Sequence, residues 1–389
     1  GQPSRIDEHR GDSQLLARKP HGGACRSSGE CKAVKVSVHA SFYELPGSAR
    51  KLCESMTQVR WFDSLDWYQC LWSTVLEGTA QLRLYVVSDE AGDALACLFC
   101  RSSDKRRREL SGLSNYYTMD FSPLVKPGVD AGEAGRALAK HIGSERPRWR
   151  TIQFDYLKGS NPATTFLVDA LAQAGFAVYR HHQYDNWYLA CQGTSFENYY
   201  AARPSRLRNT VERKSRKLYK LHQVTFKLFR SPADDIERGM RDYTAVYESS
   251  WKKPEPYPAF MPELARRLAM HDSLRLGVLY VDGQPAAAQF WITTQAEACI
   301  YKLAYDEKYA DFSVGAVLSR EMFRQALDVD HTSCIDYGVG SESYKREWMS
   351  GVRAITGIRA HSWKTGLGLV RMLTAQLRAT TKRMLSQPD

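Results

Sequence analysis

The sequence predicts an α/β fold of two related units in tandem, each a mixed sheet flanked by helices, and three observations carry the prediction. Leu82–Cys100 (LRLYVVSDEAGDALACLFC) and Leu274–Trp291 (LRLGVLYVDGQPAAAQFW) each read as an apolar strand, an Asp/Gly turn and a small-residue strand, the pattern of a β-hairpin. The order after each hairpin is shared: NYYTMDFSPLV, helix-like AGEAGRALAKHI and strand RTIQFDYL after the first; YKLAYDEKYADFSVGAVL, helix-like LSREMFRQAL and strand CIDYGVG after the second. Finally, the stretch from Tyr301 to Trp348 runs strand, Ser-Val-Gly turn, helix, short strand and Ser343-Tyr344-Lys345-Arg346-Glu347-Trp348, an order that presents a helix amino end to an anion.

Taken in order, residues 1 to 34 are rich in Gly, Ser and charge and are expected to form a disordered tail. A first unit is expected over 35–195 and a second over 196–365, the boundary falling between Leu189 and Ser205. In the first unit, Cys97 and Cys100 sit in a strand-like run, so residues three apart face opposite ways and read as core, not as a metal or redox pair. His181 and His182 fall in the strand VYRHHQYDNWYL, again on opposite faces, with no metal-ligand partner at usable spacing. The second unit opens with RPSRLRNTVERKSRKLYKL, where Ser205 can cap a helix whose apolar stripe is Leu207, Val211, Leu218 and Leu221. Its other face carries Arg206, Arg208, Arg213, Arg216, Lys217 and Lys220, read either as a solvated face or as contact with a polyanion. A further helix over Asp234 to Ser250 stops at Trp251-Lys252-Lys253-Pro254. After the Ser313-Val314-Gly315 turn a helix is expected from Val314 to Leu327, its amides at Val314, Gly315 and Ala316 left open. Residues 366–389 form a basic amphipathic helix, expected to pack on its own domain or to lie on an anionic membrane surface.

Bulk properties set the class. With 389 residues and 43% hydrophobic content the chain fills two ordinary cores. No apolar run approaches a membrane span, and the first residues lack the apolar core of a signal peptide, which predicts a cytoplasmic protein, peripheral to the inner membrane at most. Nine cysteines scattered through apolar stretches predict reduced, buried thiols. A net charge of +11 favours an anionic partner without choosing among CoA, tRNA, a nucleotide-linked glycan and a lipid surface.

The ordered set Arg206-Leu207-Arg208-Asn209, Trp251-Lys252, LRLGVLYVDGQPAAAQFWI, YKLAYDEKYADFSVGAVL and DYGVGSESYKREW resembles the GNAT-type acyltransferase domain of the CelD-like and FemAB-like proteins. The resemblance covers Ser205 to Arg353, and Gly-x-x-x-Tyr-Lys-x-x-Trp at its end is its most specific part. It implies tandem GNAT-like units, the first degenerate, and no metal. It departs at Val314, where the family has proline, and it lacks the full Arg/Gln-x-x-Gly-x-Gly/Ala loop, which leaves the acyl carrier open between CoA and another donor.

Acyl transfer needs a positioned carbonyl, a base for the nucleophile and an acid for the leaving group, with no enzyme nucleophile, and no Gly-x-Ser-x-Gly elbow is present. The resemblance implies an acyl-CoA cosubstrate between Leu303-Ala304-Tyr305 and Ile335-Asp336-Tyr337, its phosphates at Ser313, Val314, Gly315 and Ala316. Asp336, at a strand end among apolar neighbours, is the expected base, with loop fixing by hydrogen bonds as its alternative role. Tyr344 is expected to supply the acidic proton or to orient substrate; Lys345 and Tyr337 are expected to bind substrate, Lys345 otherwise being an exposed charge, and Trp251 to wall the acceptor pocket or else to lie in the core. The leading expectation is transfer to an amino or hydroxyl group of a polar acceptor, such as a glycan precursor of envelope polysaccharide. The alternatives are a FemAB-type aminoacyl-tRNA-dependent transferase and a non-catalytic scaffold of a polysaccharide-export assembly.

Overall fold

Apolar runs become strands and helical-period runs become helices in a computed structural model, which describes residues 14–15, 34–102, 108–340 and 342–374. The expected tail thus lies outside the described residues, apart from 14–15 and 34. In chain order the elements are β1 (Gln14–Leu15), β2 (Lys35–His39), α1 (Gly47–Met56), α2 (Leu65–Leu71), β3 (Gln81–Ser88), β4 (Ala94–Ser102), β5 (Glu109–Gly112), β6 (Leu124–Val125), α3 (Ala131–Ser144), β7 (Thr151–Lys158), α4 (Pro162–Gln173) and β8 (Phe176–Ala190). They continue as α5 (Phe196–Ala201), α6 (Ser205–Leu221), β9 (Val224–Phe229), α7 (Ile236–Glu248), α8 (Phe260–Met270), β10 (Leu274–Val281), β11 (Gln284–Thr293), β12 (Glu297–Tyr305), α9 (Val314–Arg324), β13 (Cys334–Asp336), α10 (Lys345–Trp348) and β14 (Gly351–Ser362).

The chain forms two compact units. One takes the described residues up to Glu54, Leu76–Tyr184 and those from Ala354; the other takes Ser55–Val75 and Asp185–Arg353. In the first, β2, β3, β4 and β5 run antiparallel, β5 then lies parallel to β7, and β14 is antiparallel to β7. The crossover to β7 is α3, whose Asp130 cap accepts from the Gly132 amide at 2.7 Å. Leu138 and Ile142 of α3 enter a core with Tyr85, Leu98, Phe154 and Leu167. Gly135 allows the close packing of α3 on α4, since a Cβ there would stand 3.0 Å from the Leu167 amide nitrogen. Cys97 and Cys100 are free and buried. On β8, His181 is half-buried, 3.5 Å from the Asp155 carboxylate, and His182 is exposed.

The second unit repeats the plan. β9, β10, β11 and β12 run antiparallel, β12 lies parallel to β13 after a crossover through α9, and β13 pairs antiparallel with the end of β8. Both parallel partners carry Asp-Tyr, as Asp155-Tyr156 in β7 and Asp336-Tyr337 at the end of β13. The core holds Val211 and Leu218 of α6, Trp291 of β11, Ile300 of β12, Val317 and Phe323 of α9, and Trp348.

Three details differ from the sequence reading. Ser205 is the first residue of α6 instead of its cap, because Pro204 takes the cap position and makes no side-chain bond. Leu221, expected on the buried stripe, is 58% exposed, since α6 ends there and the chain turns into β9. The α9 helix stops at Arg324 and relaxes into a wider π turn over Gln325–Val329.

Candidate active site

The site is opened by two departures of β12 from regular pairing. On its β11 side Trp291 pairs with Ile300 and Phe290 with Lys302, so Tyr301 is an extra residue, a bulge that turns Leu303 and Tyr305 toward the core cluster around α9. On its other side the parallel ladder with β13 ends at Cys299 and Asp336. Beyond that point the Tyr337 amide bonds to the Trp187 carbonyl at 2.8 Å instead of to β12. The edge of Leu303, Ala304 and Tyr305 is therefore left by β13, with Ala304 buried and the other two half-buried.

The amino end of α9 faces this region. Ser313 adopts a left-handed conformation at φ 52°, so the chain reverses sharply into the helix. The Ala316 amide, expected to be open, is closed by the Ser313 carbonyl at 2.9 Å, a tight first turn; Val317 bonds to the same carbonyl at 3.1 Å. The amides of Val314 and Gly315 have no backbone acceptor among the described residues. The Val314 side chain is wholly buried, so only its amide is offered. A Cβ on Gly315 would lie 3.2 Å from the Tyr305 ring, and the Tyr305 ring centroid lies 4.7 Å from that of Trp251, which is half-exposed. Cations flank the turn: Lys214 of α6 donates to the Asp311 carbonyl, and the Lys217 ammonium lies 5.1 Å from the Phe312 ring centroid.

A buried polar relay fixes that turn to the sheet. Gln289 of β11 donates to the Ser319 hydroxyl at 2.7 Å and to the Gly315 carbonyl at 3.3 Å, and accepts from the Trp291 indole at 2.9 Å. Each of these groups is costly to leave unpaired inside. Gln289→Leu is expected to destabilise the unit by about 2 kcal/mol, read as a lower midpoint in urea unfolding with an unchanged slope.

The loop after β13 holds the remaining expected residues. Asp336 is buried, with every carboxylate oxygen engaged: one accepts from Asn186 Nδ2 at 2.7 Å and the Gly338 amide at 2.8 Å, the other from the Arg353 guanidinium. Arg353 also donates to Asn186 Oδ1 at 2.7 Å, and Asp336 with Glu297 raises its pKa against the opposing effect of burial. The geometry is that of the loop anchor, not of an open base. Lys345 is not an exposed charge: it is 4% exposed, and its ammonium donates to the Val339 and Gly340 carbonyls at 2.5 and 3.3 Å and meets Glu342 at 2.8 Å. It ties the loop into a closed turn. Tyr337 is buried beneath it with its pKa driven up, mainly by burial, and packs edge-on to Tyr344 at 5.8 Å. Tyr344 stays 43% exposed, and burial with the nearby Glu342 charge pushes its phenol up to about 12, so it stays protonated at neutral pH.

Lys252 stands beside Trp251 at the edge of the site. Lys252 is half-buried, and its ammonium lies 5.9 Å from the Trp251 ring centroid. Burial first, then the neighbouring Lys302, lower its pKa to about 8, with Glu255 and Glu342 opposing and Lys345 adding a smaller push down. Lys302 itself is paired to Glu255 at 2.8 Å. A lysine desolvated among other cations exchanges its proton near neutral pH. Its signal in the sequence was the crowd of aromatics and lysines before Pro254.

The chain is similar in fold to known proteins. Residues 205–346 match the model of an acetyltransferase (GNAT) domain. Among solved structures, the C-terminal domain (DUF2156) of a putative lysylphosphatidylglycerol synthetase from Agrobacterium fabrum is similar at 14% identity, with TM-score 0.51, over 84% of this chain and 96% of that one. A conserved protein of unknown function from Bacteroides thetaiotaomicron is similar at 11% identity and TM-score 0.54, over 84% of this chain and 100% of the other. FemX is similar at 11% identity and TM-score 0.52, over 79% and 94%. No curated protein matches the chain. Residues 205–346 therefore match a GNAT acetyltransferase domain, within a chain of mixed α/β fold.

Proposed function

We propose that the second unit moves an acyl group from a carrier thioester, acyl-CoA, to an amino or hydroxyl group of a polar acceptor, in the manner of the CelD-like and FemAB-like proteins. The observation that carries the reading is the start of α9: the open amides of Val314 and Gly315 beside Lys214 and Lys217 form an electropositive cradle for a pyrophosphate. From there the β12 edge of Leu303, Ala304 and Tyr305 has backbone groups free of β13, which suits an extended amide-bearing arm. The chain Gly315, Tyr305, Trp251, Lys252 leads from the cradle to the reacting end, and Trp251 walls the acceptor.

In the reaction the acceptor nitrogen or oxygen bonds to the acyl carbon, Lys252 takes the proton that nucleophile loses, and the C–S bond breaks. Tyr344 then protonates the departing thiolate. Asp336 and Lys345 hold the loop that carries Tyr344. A polysaccharide precursor of the cell envelope is the acceptor this reading favours.

A second donor class keeps the same site. The outer face of α6 presents Arg206, Asn209, Thr210, Arg213 and Arg216 together with one carboxylate, Glu212, a net positive surface suited to RNA phosphates and hence to an aminoacyl-tRNA. Binding of that kind weakens steeply as salt rises.

A panel of labelled acyl-CoAs separates these readings. At least one is expected to bind the native protein and to lose affinity by about tenfold or more in Gly315→Trp, a change of about 1.4 kcal/mol. Gly315→Ala, which asks Tyr305 to shift by only a few tenths of an ångström, is expected to bind nearly as the native chain does. No binding by any member of the panel, or equal binding by Gly315→Trp, overturns the acyl-CoA reading.

A further inference from the structure

After β14 the chain turns at Trp363 and Lys364 and enters a helix over 366–374. That helix is tied to the first unit by its backbone and its polar side. Tyr179 donates to the Met372 carbonyl at 3.2 Å, and Arg371 pairs with Glu109 at 2.7 Å and donates to the Thr151 hydroxyl at 2.9 Å. Lys364 donates to the Ala174 carbonyl at 3.0 Å, and Gly368 is buried against the Ser362 carbonyl, where any side chain would collide. The apolar side chains are on the outside: Trp363, Leu367, Leu369, Val370 and Leu373 are each between 40% and 55% exposed.

This inverts the usual arrangement of a surface helix, whose apolar stripe faces the core. Large apolar residues standing singly on a surface need no explanation, whereas five on one short segment mark a face that something covers. Charge says what covers it. From Arg359 to Pro388 the sequence has six basic residues, Arg359, Lys364, Arg371, Arg378, Lys382 and Arg383, and no Asp or Glu. In the sequence an apolar line, Trp363, Val370, Leu377 and Met384, and a basic line, Lys364, Arg371 and Arg378, both recur at intervals of seven. Arg371 of that line is spent on Glu109, but an apolar face within a segment of this positive charge is what an interfacial helix presents to anionic headgroups. A second copy of the chain would bring the same positive flank and repel it.

We infer that the face of Trp363, Leu367, Leu369, Val370 and Leu373 docks on the surface of an anionic bilayer. The inference stands apart from the acyl-transfer reading, since none of its residues belongs to the proposed site.

Flotation of the full chain with vesicles tests it. Vesicles containing phosphatidylglycerol are expected to carry the protein, vesicles of phosphatidylcholine alone to carry about tenfold less, and high salt to release it. The double variant Leu367→Asp, Val370→Asp is expected to lower partitioning by about tenfold or more while melting at the native temperature, because both side chains are exposed. Equal partitioning to both vesicle types, or native partitioning by the variant, overturns the inference. A dimer in sedimentation that the same variant dissociates also overturns it, in favour of a second copy.

Discussion

Asp336→Ala is expected to cost about 3 to 5 kcal/mol of stability, the penalty for removing the buried carboxylate of an ion pair and leaving the buried donors around it without their acceptor. Arg353 would keep its charge beside Asn186, Glu297 and the Tyr188 ring, and the Gly338 amide and Asn186 Nδ2 would each lose an acceptor. The thermal midpoint should fall by about 10 °C or more. Asp336→Asn keeps the shape but not the charge and should fall between the two. An unchanged melting curve with turnover lost would instead make Asp336 the base, so thermal melts and turnover of both variants decide its role.

Lys252→Met is expected to lower kcat by about a hundredfold or more, the usual scale for a lost proton-transfer group. The working form is the neutral amine, whose pKa burial and Lys302 bring down to about 8. The kcat/KM profile of the native enzyme should therefore rise with pH and level off above about 8. Lys302→Met removes a neighbouring positive charge, so the rising limb should move to higher pH. Stability follows the same titration: the unfolded chain holds the Lys252 proton up to the ordinary lysine range while the folded chain releases it near 8, so folding gains stability as pH rises between the two. A profile that does not move in Lys302→Met, or a Lys252→Met enzyme that keeps its turnover, contradicts this role.

The sequence carried the plan of the fold because the plan is written in local patterns. Two Asp/Gly turns between apolar runs mark the β3–β4 and β10–β11 hairpins, and the crossover helices α3 and α9 show in three-to-four spacing. The turn at Ser313 to Gly315 was readable for the same reason. What was not readable depends on partners far along the chain. Asp336 looks like a base at a strand end until Asn186, 150 residues earlier, and Arg353, 17 residues later, are seen on its oxygens. Lys345 looks like a surface charge until the loop folds its carbonyls back onto it. Lys252 shows only its aromatic and lysine neighbours locally, whereas the burial that first lowers its pKa and the Lys302 charge that adds to it, arriving from β12, come with the fold. The outward leucines of 367–373 follow from Gly368, which lets the backbone, not the apolar stripe, lie against the unit.

The central claim is that the amino end of α9 holds the phosphates of an acyl carrier, and native mass spectrometry of the protein taken directly from cells tests it most directly. The native chain is expected to retain a ligand of CoA or acyl-CoA mass, and Gly315→Trp to be free of it. A CoA-sized mass retained equally by both proteins, or an RNA-sized mass in its place, would contradict it.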